Sequence, residues 1–97
     1  MTETIFALAS APGRSGVAVI RVSGPETGRV LDAIAGEPRP KPRRAALRAF
    51  RAADGSVIDQ GLALWFEGPA SFTGEDCAEF HVHGGTAVID AMAERFM

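Results

Sequence analysis

The sequence predicts an α+β domain: a mostly antiparallel sheet with helices against one face, in the order β-β-α-β-β-β-α. Three observations predict it. Short runs of alternating β-branched residues recur along the chain, at Val17–Ser23, Val57–Phe66 and Asp76–His83. Two helical patterns interrupt them, one after Gly24-Pro25 and one after Gly84-Gly85. A short turn, Asp54-Gly55, joins two of the strand runs and marks them as hairpin neighbours.

Taken in order, Thr4–Ser10 is a β-prone run broken by Ala11-Pro12-Gly13-Arg14-Ser15-Gly16. Val17–Ser23 follows as the second strand. Pro25 suits the first turn of a helix, with Ser23 or Gly24 as N-cap. Val30, Leu31 and Ile34 share one face of that helix, and Gly36 is placed to end it. Glu37–Arg44 carries prolines at 38, 40 and 42, which forbids regular structure and predicts an extended connector. Leu47–Ala53 and Val57–Phe66 flank Asp54-Gly55, where a type I′ turn needs positive φ. Gly68–Gly74 reads as loop, Asp76–His83 as strand, and Ala87–Met97 as an amphipathic helix. That helix has no Gly, Asn or Pro cap, the mark of a fragment of something longer.

Composition narrows the function. The 97 residues fit one domain, and 46% hydrophobic content sets disorder aside. A domain of this size buries only roughly 60–65% of its unfolded surface and leans on a partner. The net charge of −2 argues against a general nucleic-acid surface. Six of the ten basic residues, Arg39, Lys41, Arg43, Arg44, Arg48 and Arg51, nevertheless cluster, which keeps an RNA-contacting reading open. Cys77 is the single cysteine, so neither an internal disulfide nor a zinc knuckle can form. With no leader-like opening and no long apolar run, the chain reads as cytosolic, with no membrane partner.

The segment richest in chemistry is Cys77-Ala78-Glu79-Phe80-His81-Val82-His83. Alternation puts Ala78, Phe80 and Val82 on a core face and Cys77, Glu79, His81 and His83 on the other, wetter face. That row is either a solvated strand face, a ligand-recognising polar cleft, or a metal site built on His81 and His83. Successive same-face positions lie about 6.6–7 Å apart, too far for all four to reach one ion, so no metal is expected. His83-Gly84-Gly85 before a helix offers backbone N–H groups where a carboxylate or phosphate can sit, or is simply a tight turn. Arg21 interrupts an apolar strand and calls for an acidic partner or a planar or anionic ligand. Glu79 suits it if the two strands are near; an edge arginine reaching water is the alternative. No Walker pattern occurs, since Lys41 is the only lysine and precedes Pro42, so this chain alone is expected not to bind or hydrolyse GTP. No serine sits in a nucleophile elbow, and no catalytic residue is assigned.

These segments together resemble one family. Ala11-Pro12-Gly13-Arg14-Ser15-Gly16 through Ile20-Arg21-Val22-Ser23-Gly24 resembles the PPGRGGxxxIRxSG opening of the MnmE (TrmE) tRNA-modification GTPases. Pro40-Lys41-Pro42-Arg43, the Asp54–Gly61 hairpin, and Ser71-Phe72-Thr73-Gly74-Glu75-Asp76 with Glu79 and His83-Gly84-Gly85 match that family's following blocks. The departures are Ala11, Ser15, Cys77 and Val82. The resemblance covers essentially the whole chain and implies an N-terminal, folate-binding and dimer-forming domain, lacking the helical and GTPase domains. It implies half of the aminomethyltransferase-type folate-binding fold, completed by a second copy. It implies a full-length GTP hydrolase using GTP, Mg and K, which works with the flavoprotein MnmG on C5 of the wobble uridine of certain tRNAs. The one-carbon unit would come from a reduced folate, 5-formyl- or 5,10-methylene-tetrahydrofolate. Arg21 and Glu79 match folate-contacting positions, with His83, Gly84 and Gly85 as further contacts. A ligand-free dimerisation module and a small aminomethyltransferase-like folate protein are the alternatives.

Overall fold

The computed structural model describes residues 4–9, 16–71 and 73–96. Within them run β1 (Ile5–Leu8), β2 (Val17–Ser23), α1 (Thr27–Ala35), β3 (Ala46–Arg51), β4 (Val57–Phe66), β5 (Cys77–His83) and α2 (Thr86–Phe96). This is the α+β order the sequence predicts. The strands form one antiparallel sheet in the order β1-β2-β5-β4-β3, which places β5 in the middle.

Alternation decides which face is covered. Ile20 and Val22 of β2, Ala78, Phe80 and Val82 of β5, and Ala63 and Trp65 of β4 join one buried cluster. Leu31 and Ile34 of α1 and Met92 of α2 close the same cluster, so both helices cover the same face. Phe50 and Phe80 meet edge-on at its centre, with ring centroids 5.2 Å apart. The opposite sheet face carries no helix. There Ile5, Val17, Leu47 and Leu62 are exposed, which is much apolar surface for a domain of this size.

Two local expectations need correction. Helix α1 begins at Thr27 with Glu26 as N-cap, later than Ser23 or Gly24. Ser23 is still paired in β2, and the Thr27 N–H bonds the Gly24 carbonyl, so Pro25 and Glu26 lie in a turn before the helix. Gly36 does end the helix, at φ +81°. The β3–β4 hairpin forms, but of its two turn residues only Gly55 has positive φ, so the turn is not type I′. Asp54 instead accepts bonds from the Ser56 N–H and hydroxyl at 2.9 and 2.6 Å, building an Asx turn inside a longer loop.

The arginine cluster is drawn into the fold. Arg48 donates to the carbonyls of Ala35, Gly36 and Pro38, which fastens the end of α1 and the connector to β3. Arg39 pairs with Asp32 at 2.7 Å and lies over the Trp65 ring; Arg43 bonds the Ala70 carbonyl; Arg51 bonds the Gly55 carbonyl. Four of the six clustered residues thus bond backbone or carboxylate acceptors of their own chain.

Candidate functional site: an ion pair at the centre of the open sheet face

Arg21 and Glu79 stand directly opposite one another in the β2–β5 register, on the face without helices. Cross-strand neighbours on one face have Cβ atoms about 5 Å apart, so their side chains must interact. Arg21 donates from both Nε (3.1 Å) and NH2 (2.7 Å) to a single oxygen, Glu79 Oε2. The other oxygen, Oε1, lies 3.0 Å from His81 Nε2. A carboxylate has about four acceptor positions, so this arrangement orients Glu79 without exhausting Oε1. Strand alternation is thus obeyed in direction, and β2 is an inner strand, so Arg21 is no edge residue.

Exposure along the row differs from the expectation of a wet face. Glu79 is only 8% exposed and Cys77 is fully buried, while His81 is half-buried and His83 open. The cause is strand order. With β5 in the middle, Glu79 is flanked by Arg21 on one side and Leu64 on the other. Burial pushes the Glu79 carboxyl up, but the hydrogen bonds from Arg21 and His81, helped by their charge, outweigh it and hold it below the usual range. Glu79 is therefore an ionised acceptor, aligned and partly dry. Such a group can take paired N–H donors from a planar heterocycle.

Beside it, Ser23, Thr73 and Cys77 form a small hydroxyl–thiol cluster. Ser23 Oγ and Thr73 Oγ1 are 2.8 Å apart, and Thr73 Oγ1 lies 3.3 Å from Cys77 Sγ. Burial raises the Cys77 thiol, and bonds with Ser23, Thr73 and Ser71 more than offset that. Sequence reading singled out neither Ser23 nor Thr73 as site neighbours; Thr73 is brought in by the loop before β5, which alternation does not describe.

At the other end of the row, His81 and His83 line a groove of about 310 Å³ with Val17, Leu47, Gln60 and Leu62. His83 is held by Asp59 of β4, a residue that sequence reading does not single out. The Gly84 N–H, expected to be available to a ligand, is bonded to the Gly16 carbonyl at 3.3 Å. Gly85 starts α2 by accepting from the Ile89 N–H. Among the described residues, no group of three or more His, Cys, Asp and Glu is arranged to hold a metal ion. No helix among them is long and apolar enough to cross a membrane. Of the phosphate-loop-like Gly13-Arg14-Ser15-Gly16, the first three lie outside the described residues.

Comparison with known proteins shows what the chain is similar to. A family model described as the GTP-binding protein TrmE N-terminus matches residues 4–97. The chain is 67% identical over 92 residues to a tRNA modification GTPase MnmE of Maricaulis maris, covering 95% of this chain and 21% of that protein. It is 61% identical over 94 residues to the protein of that name from Phenylobacterium zucineum, covering 97% and 21%. For the one from Granulibacter bethesdensis the identity is 55% over 92 residues, covering 95% and 21%. The chain thus spans about a fifth of the length of these relatives.

Proposed function

The chain belongs to the family of TrmE N-terminal domains, and from that premise we propose that it is the folate-binding, dimer-forming domain of a tRNA-modification GTPase. The observation that carries this reading is Glu79: an ionised, nearly buried carboxylate at the centre of the open sheet face, with Oε1 able to accept a further bond. A reduced folate offers what such a residue recognises. Its pterin edge is planar and presents adjacent N–H donors, and the ring faces suit the neighbouring apolar surface. Arg21 fixes the carboxylate and supplies positive charge beside the pterin oxygen or a folate carboxylate. The bound 5-formyl- or 5,10-methylene-tetrahydrofolate would supply the one-carbon unit; this chain's residues bind and orient it.

The remaining four-fifths of such a protein would carry the GTPase, with GTP, Mg and K, inside a helical domain. The whole would act in the cytoplasm with MnmG on C5 of the wobble uridine of certain tRNAs. Pairing with a second copy is supported by the uncovered sheet face, where Ile5, Val17, Leu47 and Leu62 are open to solvent.

Calorimetry with 5-formyltetrahydrofolate tests the reading. Saturable binding is expected, weakened by Glu79→Gln roughly 10- to 150-fold, the cost of one charge-assisted hydrogen bond. Because Glu79 is buried against Arg21, Glu79→Gln also carries a stability cost of about 1–2 kcal/mol. Absence of binding by the parent would favour a ligand-free dimerisation module.

A further inference from the structure

We propose that Asp59 is a positioning residue of this site, one that fixes His83 so that its Nε2 presents a hydrogen-bond acceptor to an N–H of the ligand. The inference rests on the folate reading and assigns which part of the ligand lies where.

The β4–β5 ladder ends at Leu62 and His81. Beyond that pair the strands are so close that a Cβ on Gly61 would lie 2.0 Å from the His81 carbonyl oxygen. Past the end of that ladder the His83 N–H donates to a side chain, Asp59 Oδ2, at 2.8 Å. The same carboxylate lies 2.9 and 3.1 Å from His83 Nδ1 through its two oxygens. Burial raises the Asp59 carboxyl, but the backbone and ring bonds from His83 outweigh it and leave it below the usual range. An ionised carboxylate only accepts, so Nδ1 must carry the proton. The lone pair of the neutral ring is then on Nε2, the reverse of the tautomer a free histidine favours.

Exposure shows which way the pair faces. The Asp59 side chain is 12% exposed and the imidazole 73%, so the carboxylate is the inner partner and the ring the outer one. Nε2 makes no hydrogen bond to a described residue. His83 stands four residues from Glu79 on the same strand and face, about 13 Å away. Between them on that face stands His81, flanked by Val19 and Leu62, while Val17 pairs with His83 itself; Leu62 and Val17 give the groove its apolar floor. A ligand held by its planar, donor-rich edge at Glu79 and laid along this floor reaches His83 with its far end. In a reduced folate, the benzoyl ring covers Leu62 and the amide N–H that follows it meets Nε2.

The test combines a tautomer measurement with binding. Long-range ¹H–¹⁵N spectra of the chain, recorded well above the ordinary histidine range, should show His83 protonated at Nδ1. Asp59→Ala should return His83 towards the Nε2–H form. It should weaken 5-formyltetrahydrofolate binding roughly tenfold, the worth of one hydrogen bond. His83→Ala should weaken binding by the same factor, and the double variant no further. An Nε2–H tautomer in the parent overturns the proposal. So does folate affinity unchanged in Asp59→Ala while the tautomer has switched; Asp59 would then be a strand-end cap alone. If the parent has the Nδ1–H tautomer but binds no folate, the folate reading itself has failed and the ligand-facing role falls with it. Should Asp59→Ala not fold, the parent spectrum and His83→Ala decide: parental affinity in His83→Ala refutes the contact.

Discussion

Removing Arg21 separates a supported site from an incidental ion pair. Arg21→Ala deletes both bonds to Glu79 Oε2 and leaves the carboxylate with His81 as its polar partner. Breaking a fully buried pair costs about 3–5 kcal/mol, because the remaining charge is stranded. The Arg21 side chain is 35% exposed and that of Glu79 10%, so solvent screens part of the interaction. The expected loss is about 1–3 kcal/mol. For a domain of this size each kcal/mol moves Tm by roughly 4–8 °C, which circular-dichroism melts resolve. The pH dependence identifies the cause. The Glu79 carboxyl is held below its usual range, so its pairing contributes stability above the unfolded value of about 4.3, lost as pH falls through the folded value. Without Arg21, burial acts on Glu79 against less opposition, and its carboxyl takes up a proton at higher pH than in the parent. The stability gap between parent and variant is therefore widest near neutrality and narrows below about pH 4. Arg21→Met combined with Glu79→Leu should recover most of the loss. A gap of constant size from neutral to acid pH would refute the argument and assign the effect to lost packing of the arginine stem.

Two further outcomes follow from the fold. Gly61→Ala should destabilise by about 1–3 kcal/mol, since the new Cβ meets the His81 carbonyl oxygen at 2.0 Å and the Phe50 ring at 3.1 Å. Alanine ordinarily gains about 0.5–1 kcal/mol over glycine in a strand, so an unchanged urea midpoint would mean the strands are not this close. Sedimentation velocity at tens of micromolar should show a species of twice the chain mass. A lone 10.2 kDa boundary would contradict pairing through the open sheet face.

Much of this was legible in the sequence because alternation is a strong signal in a two-faced sheet. Ala78, Phe80 and Val82 fall in the core, and Arg21 and Glu79 share a face, as the period of two requires. Burial of Glu79 and Cys77 on that second face was not legible. Alternation gives a side chain's direction, whereas its exposure depends on strand order, and no local pattern puts β5 between β2 and β4. The start of α1 was misplaced because Pro25 is equally at home in the turn that precedes the helix. Asp59 was missed for a related reason. An acidic residue in Val57-Ile58-Asp59-Gln60 looks like ordinary solvent-facing alternation, and its role arises only where β4 leaves the ladder near Gly61. Nor does local charge density reveal that Arg39, Arg43, Arg48 and Arg51 bond acceptors of their own chain.

The central claim is that Glu79 receives the pterin edge of a reduced folate. A crystal structure of the chain with 5-formyltetrahydrofolate tests it most directly. The account predicts pterin N–H groups about 2.7–2.9 Å from the Glu79 carboxylate oxygens, with Arg21 beside the same ring and the benzoyl group directed towards His83. A folate bound away from β5, or one whose pterin leaves Glu79 bonded only to Arg21 and His81, would contradict it.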